Sequence, residues 1–172
     1  MPISINGSGS ITGLSAGGLP DASITQADLA SNVSGVGPAF SAYSASGTPM
    51  THGAYVKVTF DTERYDTNSN FASSRFTPTV AGYYQINSHL VYLTTSSVGQ
   101  VVLALYKNGG VETYTNFVTH TNSGSSINLS YLISMNGSTD YIEMYFYMSG
   151  AGTLSVQAGP QTTFNGFLAR AA

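Results

Sequence analysis

A chain of 172 residues holds one ordinary domain with a core and an appendage, and is too short for two comfortable domains. Charged residues make up 8% and the formal net charge is −3, so there is no basic footprint for nucleic acid, and the surface must be built from hydroxyls and amides. The absence of cysteine excludes a disulfide framework and a thiolate metal site, and no stretch approaches the roughly 20 apolar residues of a membrane span.

Low charge also weakens the usual defence against self-association, so oligomerisation is expected. The first residues, MPISINGSGS, lack the positive start and the apolar run of a signal peptide, and this points to synthesis in the cytosol. Residues 1–38 contain no aromatic residue and neither Lys nor Arg; the first aromatic is Phe40. Such a segment cannot form a conventional core alone and reads as an N-terminal arm, with a β domain over residues 39–172.

Within the arm, Thr25 is placed to cap a helix, Asp28 answers it, and Ile24 with Leu29 are spaced as a hydrophobic staple. The spacing predicts a short helix of about one to two turns, ordered only against a partner surface. Upstream, Ile3, Ile5, Ile11, Leu14 and Leu19 are scattered among Gly and Ser, which fits a flexible linker or an extended docking peptide. As a docking peptide, the arm would anchor through Ile11, Leu14, Leu19, Ile24 and Leu29. Gly13-Leu14-Ser15-Ala16-Gly17 matches the G-x-S-x-G pattern of serine hydrolases, but no buried strand precedes it and Gly18-Leu19-Pro20 follows where a helix is required. Ser15 is therefore not read as a nucleophile, and no catalytic residue is assigned.

From residue 40 the period becomes that of strands. AYVKVTF (54–60), GYYQINSHLVYL (82–93), QVVLALYK (100–107), GVETYTNF (110–117), INLSYLISM (127–135), DYIEMYFYM (140–148), GTLSVQA (152–158) and TTFNGFLAR (162–170) are candidate strands. In the second of these, Tyr84, Ile86, Leu90 and Tyr92 share one side. In the fifth, Ile127, Leu129, Tyr131, Ile133 and Met135 form a dry face opposite a wet one. In the sixth, Ile142, Met144, Phe146 and Met148 oppose Tyr141, Tyr145 and Tyr147, so both faces want cover. Asn108-Gly109 and Asn136-Gly137 supply the positive φ values that tight hairpins demand. The pattern predicts an all-β antiparallel sandwich or barrel of about eight to ten strands.

Chemistry-bearing residues form no known metal or catalytic pattern. His52 and His120 fall in expected loops and His89 on the polar side of a strand, without metal-ligand spacing. The acids of the β domain are Asp61, Glu63, Asp66, Glu112, Asp140 and Glu143; those between 61 and 66 lack EF-hand spacing and read as a solvated turn. No metal and no cofactor are expected. The sequons at Asn6, Asn32, Asn128 and Asn136 reflect abundant Asn and Ser. The tyrosines of 141–147 suit a ligand platform or a buried subunit contact, and the subunit contact is preferred.

Three separated blocks carry a resemblance. Phe60-Asp61, Tyr65-Asp66, Phe71, Phe76, Pro78 and Ala81-Gly82-Tyr83-Tyr84-Gln85-Ile86 resemble the signature of the globular-head domain of the complement first-component q subunit. Leu105-Tyr106-Lys107-Asn108-Gly109 and Phe164-Asn165-Gly166-Phe167-Leu168 resemble it too, in the family's order. The segment between Phe71 and Phe76 is short for the family, and Ile86 stands where an aromatic is usual. The likeness implies a ten-stranded jelly roll of the tumour-necrosis-factor type that forms homotrimers, with Tyr84, Tyr141, Tyr145, Tyr147 and Phe167 as candidates for the subunit contact. The arm resembles the leaders of tailed-bacteriophage structural proteins.

Together these imply a non-enzymatic virion structural protein, made in the host cytoplasm and carried on the virion surface. Its arm would hold a homotrimer to another virion protein, such as the major capsid or a tail protein, as a capsid decoration, cement or head-fibre protein. The alternative is a short tail-fibre or baseplate adhesin that binds a host-surface glycan or protein. Neither nucleic acid nor membrane insertion is expected.

Overall fold

The computed structural model describes residues 4–5, 11–12, 36–95, 98–120, 124–150 and 154–172. The chain divides into two compact units, Met1–Ala30 and Ser31–Ala172. In the first, β1 (Ser4–Ile5) pairs antiparallel with β2 (Ile11–Thr12). The helix expected near Thr25 lies outside the described residues, as do Leu14, Ser15, Leu19, Ile24 and Leu29.

The second unit is an antiparallel jelly roll of two facing sheets. One sheet runs β4 (Thr48–Pro49), β14 (Leu154–Val156), β9 (Ala81–Thr94), β15 (Gly159–Ala171), β3 (Ala39–Ser44) and β6 (Thr62–Asp66), with β12 (Ser125–Asn136) on the other side of β9. The other runs β11 (Gly110–His120), β10 (Val98–Lys107), β13 (Ile142–Gly150), β8 (Arg75–Phe76) and β7 (Phe71–Ala72), with β5 (Tyr55–Lys57) also paired to β13. We call these the seven-stranded and six-stranded sheets.

The alternation read from the sequence holds where one face of a strand is dry. Tyr84, Ile86, Leu90 and Tyr92 of β9 are buried, as are Ile127, Leu129, Ile133 and Met135 of β12 and Ile142, Met144, Phe146 and Met148 of β13. These rows meet between the sheets because the strand period of two sends every second side chain to the same side. Phe40 of β3 ties the sheets together: its ring stacks on Phe76 at 4.3 Å and Phe71 at 5.0 Å, and meets Phe164 edge-on at 4.9 Å. Such aromatic pairs add about 0.5–1.5 kcal/mol each beyond the area they bury.

Three local expectations are corrected. The acidic stretch at 61–66 is not a turn; Thr62–Asp66 is β6, paired with β3 at the edge of its sheet. Its charged, exposed side chains suit an edge strand, which they protect from further pairing. The two acids at its ends serve the backbone: Asp61 accepts the Ala45 N–H at 2.6 Å and the Ser46 N–H at 3.1 Å, and Asp66 accepts the Phe71 N–H at 2.7 Å. His120 ends β11 rather than sitting in a loop.

Of the two Asn-Gly pairs expected to make hairpins, at 108–109 and 136–137, one does. Asn108 (φ 53°) and Gly109 (φ 81°) turn β10 into β11. Asn136-Gly137 instead carries the chain from the seven-stranded sheet to the six-stranded one, with only Gly137 at positive φ (70°). Asn136 Oδ1 accepts the N–H groups of Ser138, Thr139 and Asp140, all at 3.0 Å, and so folds the corner onto its own side chain.

Candidate functional site

The faces turned away from the core are the candidate sites. On the seven-stranded sheet, strand pairing places Phe167, Gln85 and Leu132 side by side, and next to them Asn165, Asn87 and Ser130. Tyr83, Leu132 and Phe167 are 46%, 54% and 49% exposed, large values for apolar side chains on one sheet face. Tyr83 and Leu132 also line a cleft of about 610 Å³ with Arg170, Ala171 and Ala172. Beside this patch runs a ladder of amides and hydroxyls. Gln85 Nε2 donates to Ser130 Oγ at 3.0 Å, Ser130 Oγ to Asn87 Oδ1 at 2.9 Å, and Asn87 Nδ2 to Asn165 Oδ1 at 3.4 Å. His89 Nδ1 lies 2.6 Å from the Gln161 carbonyl oxygen. The face thus combines an apolar centre with polar groups already paired to one another, so covering it removes apolar surface from water without stranding donors.

The six-stranded sheet presents a different outer face. Pairing sets Arg75, Glu143 and Tyr106 in one row, Lys57, Tyr145, Ala104 and Tyr114 in the next, and Tyr55, Tyr147 and Val102 in a third. The tyrosine rings touch: Tyr106 and Tyr145 centroids are 4.1 Å apart, Tyr55 and Tyr147 5.0 Å, and Tyr55 and Tyr106 6.0 Å. Ala104 and Val102 belong to the same face yet are buried, Ala104 paired with Tyr114 and Tyr145 and Val102 with Tyr147. Burial, and then the neighbouring hydroxyls of Tyr106, Tyr114 and Tyr147, raise the pKa of Tyr55, which keeps it a neutral donor.

At the edge of the tyrosines stands an ion triad. Glu143 Oε1 accepts from Lys57 Nζ at 2.5 Å and from Arg75 Nε at 2.9 Å, while the Arg75 guanidinium lies 3.8 Å from the centroid of the Tyr141 ring. Burial pushes the Glu143 carboxyl up, but the hydrogen bonds and charges of Lys57 and Arg75 outweigh it and hold the group below the ordinary carboxylate range. Two cations on one carboxylate leave the triad with a net positive charge.

The residues predicted for a subunit contact do not come together. Tyr84 cannot serve: it is fully buried in the single chain, and its hydroxyl donates to the Val80 carbonyl at 2.7 Å. Burial raises its pKa to about 12. The reason is register, since the even-numbered side chains of β9 point inward and Tyr83 takes the outer position. Phe167 lies on the outer face of the seven-stranded sheet, whereas Tyr141, Tyr145 and Tyr147 border or stand on that of the six-stranded sheet. Ile11 belongs to β2, and the other four arm positions lie outside the described residues. Sequence reasoning missed Tyr83 and Leu132, although the alternation that buried Tyr84 and Ile133 already turned them outward. It also missed Tyr55, Tyr106, Tyr114 and the triad, whose members meet only through strand pairing. Among the described residues, no group of three or more His, Cys, Asp or Glu side chains converges on a metal-sized site.

No protein-family model and no curated protein matches the sequence. Solved structures do match it. The globular domain of zebrafish complement 1qA protein is 19% identical, with a TM-score of 0.56 over 78% of this chain and 98% of that one. Murine APRIL is 12% identical with a TM-score of 0.53, covering 76% and 96%. The Eiger TNF of S. frugiperda is 12% identical with a TM-score of 0.51, covering 78% and 93%. At these identities the likeness is one of fold, the jelly roll shared by complement 1q globular domains and tumour-necrosis-factor-like proteins.

Proposed function

We propose that this chain is a non-enzymatic bacteriophage virion structural protein. It forms a homotrimer through the outer face of its seven-stranded sheet, and its arm, residues 1–38, holds the trimer on the virion surface as a capsid decoration, cement or head-fibre protein. The observation that carries the trimer is the exposed cluster of Tyr83, Leu132 and Phe167 beside a self-paired amide ladder. Covering each of these half-exposed side chains contributes about 1 kcal/mol. The attachment partner is another virion protein, and the resemblance of the leader to those of phage structural proteins supports that half of the reading.

The test has two parts. Multi-angle light scattering of the full chain is expected to return a trimer; a monomer overturns the assembly. Deleting residues 1–36 is expected to leave a soluble trimer that no longer attaches to particles, and retained attachment overturns the role of the arm. A second reading, a short tail-fibre or baseplate adhesin for a host-surface glycan or protein, is favoured by the tyrosine face, which lies on the sheet that the proposed trimer contact does not use. An adhesin blocks infection when added as isolated protein; a cement protein alters particle stability instead.

A further inference from the structure

Beside the tyrosine face lies an open cleft of about 610 Å³, a size that suits a small ligand. Lys57 and Arg75 line it, together with Ser69, Ser73 and Thr77. Two of the chain's five cationic side chains therefore border one hydroxyl-rich hollow in a protein of net charge −3. Arg75 spends its Nε on Glu143, and among the described residues its Nη edge makes no hydrogen bond. That edge is a planar fork of N–H donors, the geometry that grips a carboxylate at two points. Lys57 and Arg75 keep 32% and 43% of their side-chain surface exposed.

The loop that forms the wall is strained. Ser69 (φ 54°) and Ser73 (φ 51°) hold left-handed backbone without being glycine, as does the neighbouring Ser74 (φ 58°). Such conformations cost about 1–3 kcal/mol each and persist where surrounding contacts impose them. Ser74 supplies one such contact, donating its hydroxyl to the Phe60 carbonyl at 3.3 Å and accepting the Phe60 N–H at 2.8 Å.

Cleft and tyrosines are continuous. Lys57 stands across from Tyr145 in the pairing of β5 and β13, and Tyr145 packs on Tyr106. Tyr55, two positions before Lys57, is 42% exposed, and Tyr114 is 58% exposed. The C–H face of a pyranose ring is apolar and slightly positive, so it lies well on a tyrosine ring, while its edge hydroxyls reach phenolic and serine oxygens.

We propose that this face binds an acidic saccharide, its carboxylate held by Arg75 and Lys57 in the cleft and its adjoining sugar rings laid on Tyr55 and Tyr114. Charge selects the occupant: an uncharged glycan has no use for the Nη edge of Arg75, and the triad's net positive charge complements one carboxylate. The proposal rests on the receptor-binding reading and gives it a ligand class and a place. It is scored on soluble protein, so its failure leaves particle attachment and trimer formation untouched.

The experiment applies the full-length protein to an array of oligosaccharides bearing uronic acids, sialic acids or pyruvate ketals, each beside its methyl-esterified form. Acidic members are expected to bind, and their neutral esters about 10- to 100-fold more weakly. Arg75→Gln should bring acidic binding down to the level of the esters, while Tyr55→Ala and Tyr114→Ala weaken both forms. Should Arg75→Gln fail to fold by circular dichroism, Lys57→Gln carries the same comparison. Retention of no acidic member, equal binding of acid and ester, or tyrosine variants that bind as the parent does would each overturn the proposal.

Discussion

Tyr83 and Tyr84 are adjacent in β9 and stand on opposite sides of the same sheet, Tyr83 46% exposed and Tyr84 fully buried. The two positions therefore divide stability from assembly. Tyr84→Ala is expected to cost about 3–5 kcal/mol in urea unfolding, the range for removing a large buried aromatic. Tyr84→Phe should cost about 1 kcal/mol, the worth of its hydrogen bond to Val80. Tyr83→Ser should change the stability of the single subunit by no more than about 0.5 kcal/mol. Because assembly contributes to apparent stability, all variants are compared at one protein concentration.

Assembly is the readout for the outer face itself. Phe167→Ser and Leu132→Ser together are expected to move the protein from trimer toward monomer in sedimentation velocity, with an unchanged far-ultraviolet circular dichroism spectrum. Tyr114→Ser, on the opposite sheet, should leave the trimer intact. Dissociation by Tyr114→Ser and none by the double variant would place the contact on the wrong face.

Gly166 is a packing position. A Cβ there would stand 2.6 Å from Ile86 Cδ1 and 3.0 Å from both the Gln85 carbonyl oxygen and Phe40 Cε1. Two of these neighbours are fully buried side chains of the core. Gly166→Ala is expected to lower stability by about 1–3 kcal/mol, the usual effect of overpacking, and Gly166→Val by more. Thermal unfolding of the two variants checks the order.

Glu143 links pH to stability. Its carboxyl is held below the ordinary value of 4.5, so the folded state binds fewer protons than the unfolded one in that range. The stabilisation is complete above the ordinary value and is lost as pH falls from there through the lowered native value. Urea midpoints are thus expected to fall as the pH drops below about 5. Glu143→Gln should cost about 1.5–3 kcal/mol at neutral pH and flatten this acid limb, since the two charged partners lose their counter-charge. An acid limb as steep in the variant as in the parent would assign it to other carboxylates.

Much of the fold can be read from local pattern. β9, β12 and β13 alternate because each has a dry face, and β10 and β15 carry enough branched and aromatic residues to be recognised as strands. β3, with the sequence AFSAYS, escapes the same reading, since Phe40, Ser41 and Ala42 are buried in succession and no alternation survives. β6 escapes for the opposite reason: an edge strand of charged, exposed residues looks like a turn. Asn136-Gly137 shows the limit of a turn motif, because a dipeptide sets a backbone bend but not which sheet the next strand joins.

By itself, then, the sequence determined the all-β class, most strands, and which side chains of β9, β12 and β13 share a face. Alternation is a property of neighbouring residues, and composition reports the wet and dry sides without reference to the rest of the chain. Only the tertiary structure decided which outward side chains are neighbours. Glu143 meets Lys57 and Arg75 across separations of 86 and 68 residues, and Tyr55 meets Tyr106 and Tyr147 through strands distant in the chain. In a jelly roll such pairings are non-local, set by how whole strands bury their dry faces together, and no local pattern encodes the partner. The tyrosine face and its ion triad, like the division between Tyr83 and Phe167 on one sheet and Tyr145 and Tyr147 on the other, belong to that second level.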